Sequence, residues 1–236
     1  MRLKFLCPQC LIEHEHVVLG YSDLGSVELT NNYCYDYTCP KGHTTNVFVQ
    51  NPRYELLYDF GVSAYLDGYY REAVLDFAAA LERFYEHAIY SLVGIKGASD
   101  NMKNFWNHIK KQSERQLGAF LALYFAKYGD APELPSNKQI EFRNNVTHKG
   151  YFPSKEETEE YAKFVGSYIV RMSKILPDDM DAHFASLYPA LEEMKKSSAQ
   201  RGGHNIVSVV SLLKSGKNFE ESVIEFQKFF GLFYSK

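Results

Sequence analysis

All four cysteines of this 236-residue chain fall within its first 39 positions, at Cys7, Cys10, Cys34 and Cys39. That crowding separates a short amino-terminal segment from everything after it. Residues 1–50 hold short β-rich runs such as Val47-Phe48-Val49, punctuated by Ser22-Asp23-Leu24-Gly25 and Asn31-Asn32, the punctuation expected of a small sheet joined by turns. From Asn51-Pro52 onward the spacing of apolar residues becomes helical, and Pro52 suits the first turn of a helix.

Within the first segment, Cys7-Pro8-Gln9-Cys10 and Cys39-Pro40-Lys41-Gly42-His43 form two tight turns, each offering two metal ligands. Together they supply the four donors of a tetrahedral zinc site, Cys7, Cys10, Cys39 and His43. This pattern resembles the zinc ribbons, and the resemblance covers roughly the first 50 residues. Four protein ligands leave no open coordination position, so the expected Zn²⁺ is structural and takes no part in catalysis. Cys34 reads as a core residue on a strand. His14 and His16 alternate with Glu13 and Glu15 as on a solvated strand face.

The clearest helix is expected over Tyr70 to Leu92. There Val74, Phe77, Ala78, Leu81, Phe84, Tyr85, Ala88, Ile89 and Leu92 recur at three- and four-residue spacing and mark one face. A preceding helix over Tyr54 to Leu66 ends at Asp67-Gly68, making a hairpin with it. A third helical region is expected from about Asn101 to Lys127, broken by Tyr128-Gly129-Asp130-Ala131-Pro132-Glu133-Leu134-Pro135. Ser136 caps a short helix through about His148, and Ser154 with Glu157 makes a capping box for a helix to Leu176. Beyond Pro177, Asp178 to Lys196 and Phe219 to Phe230 read as helices and Ser197 to Gly203 as a loop. The run Ile206 to Val210 suits strand or helix equally.

Composition fits a packed protein: 45% hydrophobic, 23% charged and 15% aromatic residues. The formal net charge of -3 gives no general attraction to nucleic acid, so any RNA contact must come from a local basic patch. Met1 to Leu6 runs straight into Cys7-Pro8, leaving no apolar stretch for a secretory leader. No apolar run approaches the ~18 residues needed to cross a bilayer. A cytoplasmic protein without a membrane segment is expected, and in that setting disulfides are not.

The segment Glu141-Phe142-Arg143-Asn144-Asn145-Val146-Thr147-His148-Lys149-Gly150-Tyr151 contains Arg-x4-His with an Asn directly after the Arg. Ahead of it a long helix carries Ala78-Ala79-Ala80-Leu81-Glu82, and a capped helix follows. This arrangement resembles the HEPN superfamily over residues 52–176, a group of helical bundles that includes RNA-cleaving toxins, abortive-infection proteins and CRISPR-associated ribonucleases. The resemblance implies a homodimeric, metal-independent endoribonuclease of the toxin or phage-defence kind, held in check by an antitoxin or other regulatory protein. Arg143, Asn144 and His148 are then its catalytic residues. HEPN nucleases sometimes carry a Tyr two residues after the His. In this chain Tyr151 comes one position later, which leaves regulation through that Tyr without support.

The chemistry suits those residue types. RNA carries its own nucleophile, the 2′-OH, so cleavage needs a base, an acid and charge stabilisation. An imidazole, with an ordinary pKa of about 6.5, exchanges protons near neutrality. A guanidinium offers a fork to the phosphate, and Asn144 is expected to orient His148 or a phosphate oxygen. Five residues advance a helix by about 500°, so Arg143 and His148 lie roughly 140° apart around it. Two facing helix ends, one from each protomer, would bring both groups around one cleft.

Lys149 and Tyr151 beside the motif, and Lys110 and Lys111, are candidate RNA contacts. The latter two belong to a cluster with Lys103 and Arg115, interleaved with Phe105, Trp106 and His108. A solvated helix face over a buried aromatic competes with that reading. His87, His108, His183 and His204 read as structural, and Glu82 either supports the active-site Arg or belongs to an exposed ion pair. The expected organisation is mainly α: a β-rich zinc ribbon at 1–50, a HEPN-like helical bundle at 51–176, and a mostly helical extension at 177–236. The alternative function is a catalytically inactive HEPN and zinc-ribbon module that binds nucleic acid or a partner protein.

Overall fold

The structure, a computed structural model, describes residues 2–5, 7, 9–10, 25–30, 34–94, 100–177, 201–204 and 208–235. The fold is mainly helical, with a small β-rich part built largely from the amino-terminal segment. Two compact units divide the chain. The first comprises residues 1–51, 187–207 and 220–236, and the second residues 52–186 and 208–219. The last sixty or so residues therefore divide between both units. Among the described residues no helix is long and apolar enough to cross a membrane.

The first unit holds two three-stranded sheets. In one, β1 (Arg2–Phe5) lies between β2 (Gly25–Glu28) and β6 (Tyr234–Ser235), antiparallel to both, with Leu3 opposite Val27 on one side and Tyr234 on the other. In the other, β3 (Cys34–Thr38) and β4 (Thr44–Val49) form an antiparallel hairpin, and β5 (Arg201–His204) runs parallel to β4. Along β3, Tyr35 and Tyr37 are buried while their neighbours are not, the alternation of a one-sided strand. β4 is buried from Thr45 through Val49, so both of its faces are covered.

The second unit is built on a helical hairpin, α1 (Arg53–Leu66) and α2 (Tyr70–Val93). Gly68, with φ of +81°, turns the chain between them. The two pack closely at Gly61, where a Cβ would stand 2.5 Å from the Phe77 ring. α2 is the central helix and also packs against α4 (Ser113–Tyr128), α5 (Asn137–His148) and α6 (Lys155–Ile175). Its buried face, including Val74, Phe77, Leu81, Phe84, Tyr85, Ala88 and Ile89, is the stripe read from the sequence. Capping boxes at Ser136/Gln139 and Ser154/Glu157 start α5 and α6.

One expectation is corrected and two are made specific. The helical region foreseen over Asn101 to Lys127 comprises two helices, α3 (Asp100–Ile109) and α4, separated by a turn at Lys110–Gln112. No Gly or Pro marks that break; Arg115 and Gln116 hold the turn by donating to the His108 and Lys110 carbonyls. The foreseen loop over Ser197 to Gly203 contains β5, which exists through pairing with β4 rather than through strand propensity. In the ambiguous run, Val209 and Val210 open a helix, α7 (Val209–Lys214). Ser208 caps it, and the fully buried Asp59 of α1 accepts from the Val209 N–H at 2.8 Å. The last helix, α8 (Phe219–Phe233), covers the foreseen Phe219 to Phe230. The helix expected over Asp178 to Lys196 lies outside the described residues, as do His14, His16 and His183.

Candidate functional site

The turn of the β3–β4 hairpin is the second of the two knuckles. The Cys39 N–H donates to the His43 carbonyl (2.9 Å) and the Gly42 N–H to the Cys39 carbonyl (2.8 Å). Gly42 has a φ of +89°, which a side chain at that position would resist. This tight loop sets Cys39 and His43 on one side, facing Cys7 and Cys10. The four ligand atoms lie within 4.8 Å of one another. His43 Nδ1 stands 3.7 Å from Cys7 Sγ, 3.3 Å from Cys10 Sγ and 3.6 Å from Cys39 Sγ, and the Cys10 and Cys39 sulfurs are 3.8 Å apart.

All three cysteines are buried and His43 is half-buried. Burial pushes the Cys10 thiol up to about 12, and its contacts with Cys7 and Cys39 add to that. Burial also raises Cys39, but hydrogen bonds from the backbone of His43 and Lys41, together with the Cys10 and Cys7 side chains, more than offset it and bring the group to about 7. This is a buried Cys3His group that could hold a metal ion. Cys34 sits apart from it on β3, half-buried.

The Arg-x4-His motif lies on α5. Only Val146 of that helix is buried, so α5 rides on the surface of its unit, fixed also by Phe142, whose ring packs 5.4 Å from that of Tyr161. At its carboxyl end Gly150, with φ of +70°, turns the chain so that both Lys149 and Tyr151 N–H groups donate to the Asn145 carbonyl, each at 3.1 Å. Arg143 points toward α2. Its Nη2 donates to Glu82 Oε1 at 2.6 Å and its Nη1 to Asn144 Oδ1 at 3.0 Å. Glu82 is thus the partner of the motif Arg. Arg83 belongs to a different pair, with Glu86 at 2.6 Å.

Glu82, Arg143 and Asn144 border a cavity of about 470 Å³ between α2, α4, α5 and α6, whose apolar wall includes Leu81, Leu117, Ile140 and Phe164. His148 is not part of that wall; it is exposed at the last turn of α5. Arg143 and Asn144 are therefore brought together, and His148 is presented separately to solvent. Asn144 Oδ1 is engaged by Arg143.

Of the candidate RNA contacts, Lys149, Lys110 and Lys111 are exposed. Tyr151 is tied into the fold: its hydroxyl donates to Glu157 Oε1 at 2.9 Å and its ring lies 6.5 Å from that of Phe142. The Trp106 ring packs 5.5 Å from that of Tyr90, and Lys103, Lys110, Lys111 and Arg115 are exposed. His87 packs against the Tyr54 ring at 5.2 Å. The Glu82–Arg143 contact, across 61 residues of chain, is one of the two alternatives the sequence offered for Glu82, whereas the cavity was beyond sequence reasoning.

Comparison with family models, with curated proteins and with solved structures returned no match.

Proposed function

We propose that this chain is a metal-independent endoribonuclease of HEPN type, acting as a toxin or phage-defence effector at a site shared by two copies. The observation that carries the reading is the Glu82–Arg143–Asn144 cluster, which holds a guanidinium on the lining of a cavity, on the same exposed helix that presents His148. Glu82 restricts the Arg143 side chain without covering it, since 29% of that side chain stays exposed and within reach of an anion.

In this mechanism the 2′-OH oxygen attacks the adjacent phosphorus, and the P–O5′ bond breaks. His148 of one copy takes the 2′-OH proton and then gives it to the departing O5′, while the second copy supplies the guanidinium. Arg143 stabilises the charge that builds on the phosphoryl oxygens. The products are a 2′,3′-cyclic phosphate and a 5′-OH. Arg143 and His148 are about 7.5 Å apart along the helix axis and on different faces, which supports a site completed by a second copy. The neighbouring Phe152 is 81% exposed, as a residue at an interface between copies would be.

The zinc assignment belongs to the same proposal. With Zn–S of about 2.3 Å and Zn–N of about 2.0–2.1 Å, a tetrahedron has S···S edges of about 3.8 Å and S···N edges of about 3.6 Å. The observed 3.8 Å between sulfurs and 3.3–3.7 Å from sulfur to nitrogen support that ion. Its role is to hold the hairpin turn.

The test is complementation. Arg143→Ala and His148→Ala are each expected to be inactive, and a mixture allowed to exchange subunits recovers cleavage, because one copy supplies the Arg and the other the His. A mixture as inactive as its parents, with exchange shown to occur, contradicts a shared site. A second reading, a binding module without catalysis, is favoured by the Glu82–Arg143 pair itself, which also ties α5 to α2. Inertness of the wild-type chain toward RNA would select it.

A further inference from the structure

We infer that the cavity beside Arg143 is a base subsite, taking the nucleobase of a ribonucleotide whose phosphate lies at Arg143 and favouring an amino-bearing base over uracil. For its place in the reaction this rests on the ribonuclease reading.

The size comes first. At about 470 Å³ the cavity falls in the range of small-ligand pockets, about 300–1,000 Å³. Tyr85, Tyr161 and Phe164 give it aromatic walls, and Leu81, Leu117 and Ile140 complete an apolar slot. Such a lining suits a flat heteroaromatic ring better than a phosphate or sugar.

The polar groups then narrow the choice. Two carboxylates, Glu82 and Glu114, and one guanidinium, Arg143, lie on the lining. An anion is repelled from the interior and welcomed only at the Arg143 edge. Glu82 gives Oε1 to Arg143, and Asn144 gives Oδ1 to the same side chain. The second Glu82 oxygen is left to accept, and the Asn144 amide nitrogen is left to donate. A carboxylate facing the base needs N–H groups opposite it. Adenine, cytosine and guanine each present an exocyclic amino group next to a ring acceptor or a second N–H. Uracil sets carbonyl oxygens on both sides of its single N–H, and these would oppose the carboxylates. A purely apolar ligand would leave Glu82 and Asn144 unmatched.

The test uses the full chain and five probes: adenosine, cytidine, guanosine and uridine 3′-monophosphates, and ribose 5-phosphate, which lacks a base. Ile140 and Leu134 line the cavity and are 46% and 40% exposed, so Ile140→Trp and Leu134→Trp fill it with little demand on the core. Calorimetry should show at least one amino-bearing nucleotide binding tenfold or more tighter than both uridine 3′-monophosphate and ribose 5-phosphate. Either Trp variant, folded by circular dichroism, should lose that tenfold margin, and Phe125→Trp, at an exposed position off the cavity lining, should keep it.

Binding of all four nucleotides no better than ribose 5-phosphate overturns the subsite. So does tightest binding by the uridine nucleotide, or an undiminished margin in both Trp variants. RNA cleavage by the same preparations separates the two claims. Cleavage without base discrimination sinks the subsite and leaves the nuclease. Discrimination among nucleotides without cleavage sinks the nuclease and leaves the subsite.

Discussion

Glu82 Oε1 and Arg143 Nη2 lie 2.6 Å apart, a charge-assisted contact that joins the middle of α2 to α5. Both side chains are about 30% exposed (33% and 29%), so the pair is worth perceptibly less to stability than a buried one. Its larger effect is to aim the guanidinium. Glu82→Gln keeps an acceptor but removes the charge, and is expected to cut RNA cleavage about 10- to 100-fold through misplacement of Arg143. Its cost in stability should be about 1 kcal/mol or less. Arg143→Lys keeps the charge and loses the fork to Asn144, and should fall at least as far. Steady-state kinetics beside urea unfolding check both.

Removing the proposed zinc should undo the hairpin turn and leave the helical unit standing. Structural zinc contributes on the order of 10 kcal/mol in small domains, more than a short β-rich segment can otherwise supply. Cys10→Ser is expected to lose the metal and destabilise the β3–β4 turn. The chain has a single tryptophan, Trp106 on α3 against Tyr90, so its fluorescence reports on the helical unit alone and should change little. One equivalent of zinc in the purified protein, absent from Cys10→Ser, is the accompanying measurement.

Asp76 on α2 gives a pH dependence of defined sign. Burial raises its carboxyl to about 6, and Glu72 one turn earlier adds to the shift. The folded state thus prefers the protonated acid, whereas the unfolded chain titrates at about 3.9. The stabilising effect of that preference is complete below the unfolded pKa and is lost as pH rises through about 6. Asp76→Asn should therefore be more stable than the parent by about 1 kcal/mol at pH 7.5, after allowance for solvent screening of a partly exposed group. The difference should shrink toward pH 4. Urea unfolding at the two pH values measures it.

Asp59 caps α7 from within the core. Asp59→Ala removes the acceptor of the Val209 N–H and leaves that donor buried, at an expected cost of about 2–3 kcal/mol. Asp59→Asn retains an acceptor and should cost less. Thermal unfolding of the two variants orders them.

The parts of the fold that were legible in the sequence are those set by neighbours in the chain. The α2 stripe, the Ser136 cap before α5, the capping box before α6 and the Gly-marked turns all follow from residues within a few positions of one another. The Cys3His group was legible because each knuckle is local and carries two ligands. What was missed depends on distant partners. Arg201-Gly202-Gly203-His204 has no β-branched residue and becomes a strand only beside β4. Ser208 ends the Ile206 to Val210 ambiguity because Asp59 and Glu55 of α1 wait for the Val209 N–H and the Ser208 hydroxyl. Glu82 could be suspected as the partner of Arg143 but not assigned, since only the packing of α5 on α2 brings them together.

The chemistry of the cut ends tests the central claim most directly. Wild-type protein and His148→Ala, both in excess EDTA, are incubated with RNA and with DNA of the same sequence, and the termini are identified. The account predicts 2′,3′-cyclic phosphate and 5′-OH ends from the wild-type protein, none from the variant, and intact DNA. Wild-type protein no more active than His148→Ala at concentrations where the dimer forms, or 3′-OH ends paired with 5′-phosphates, would contradict it.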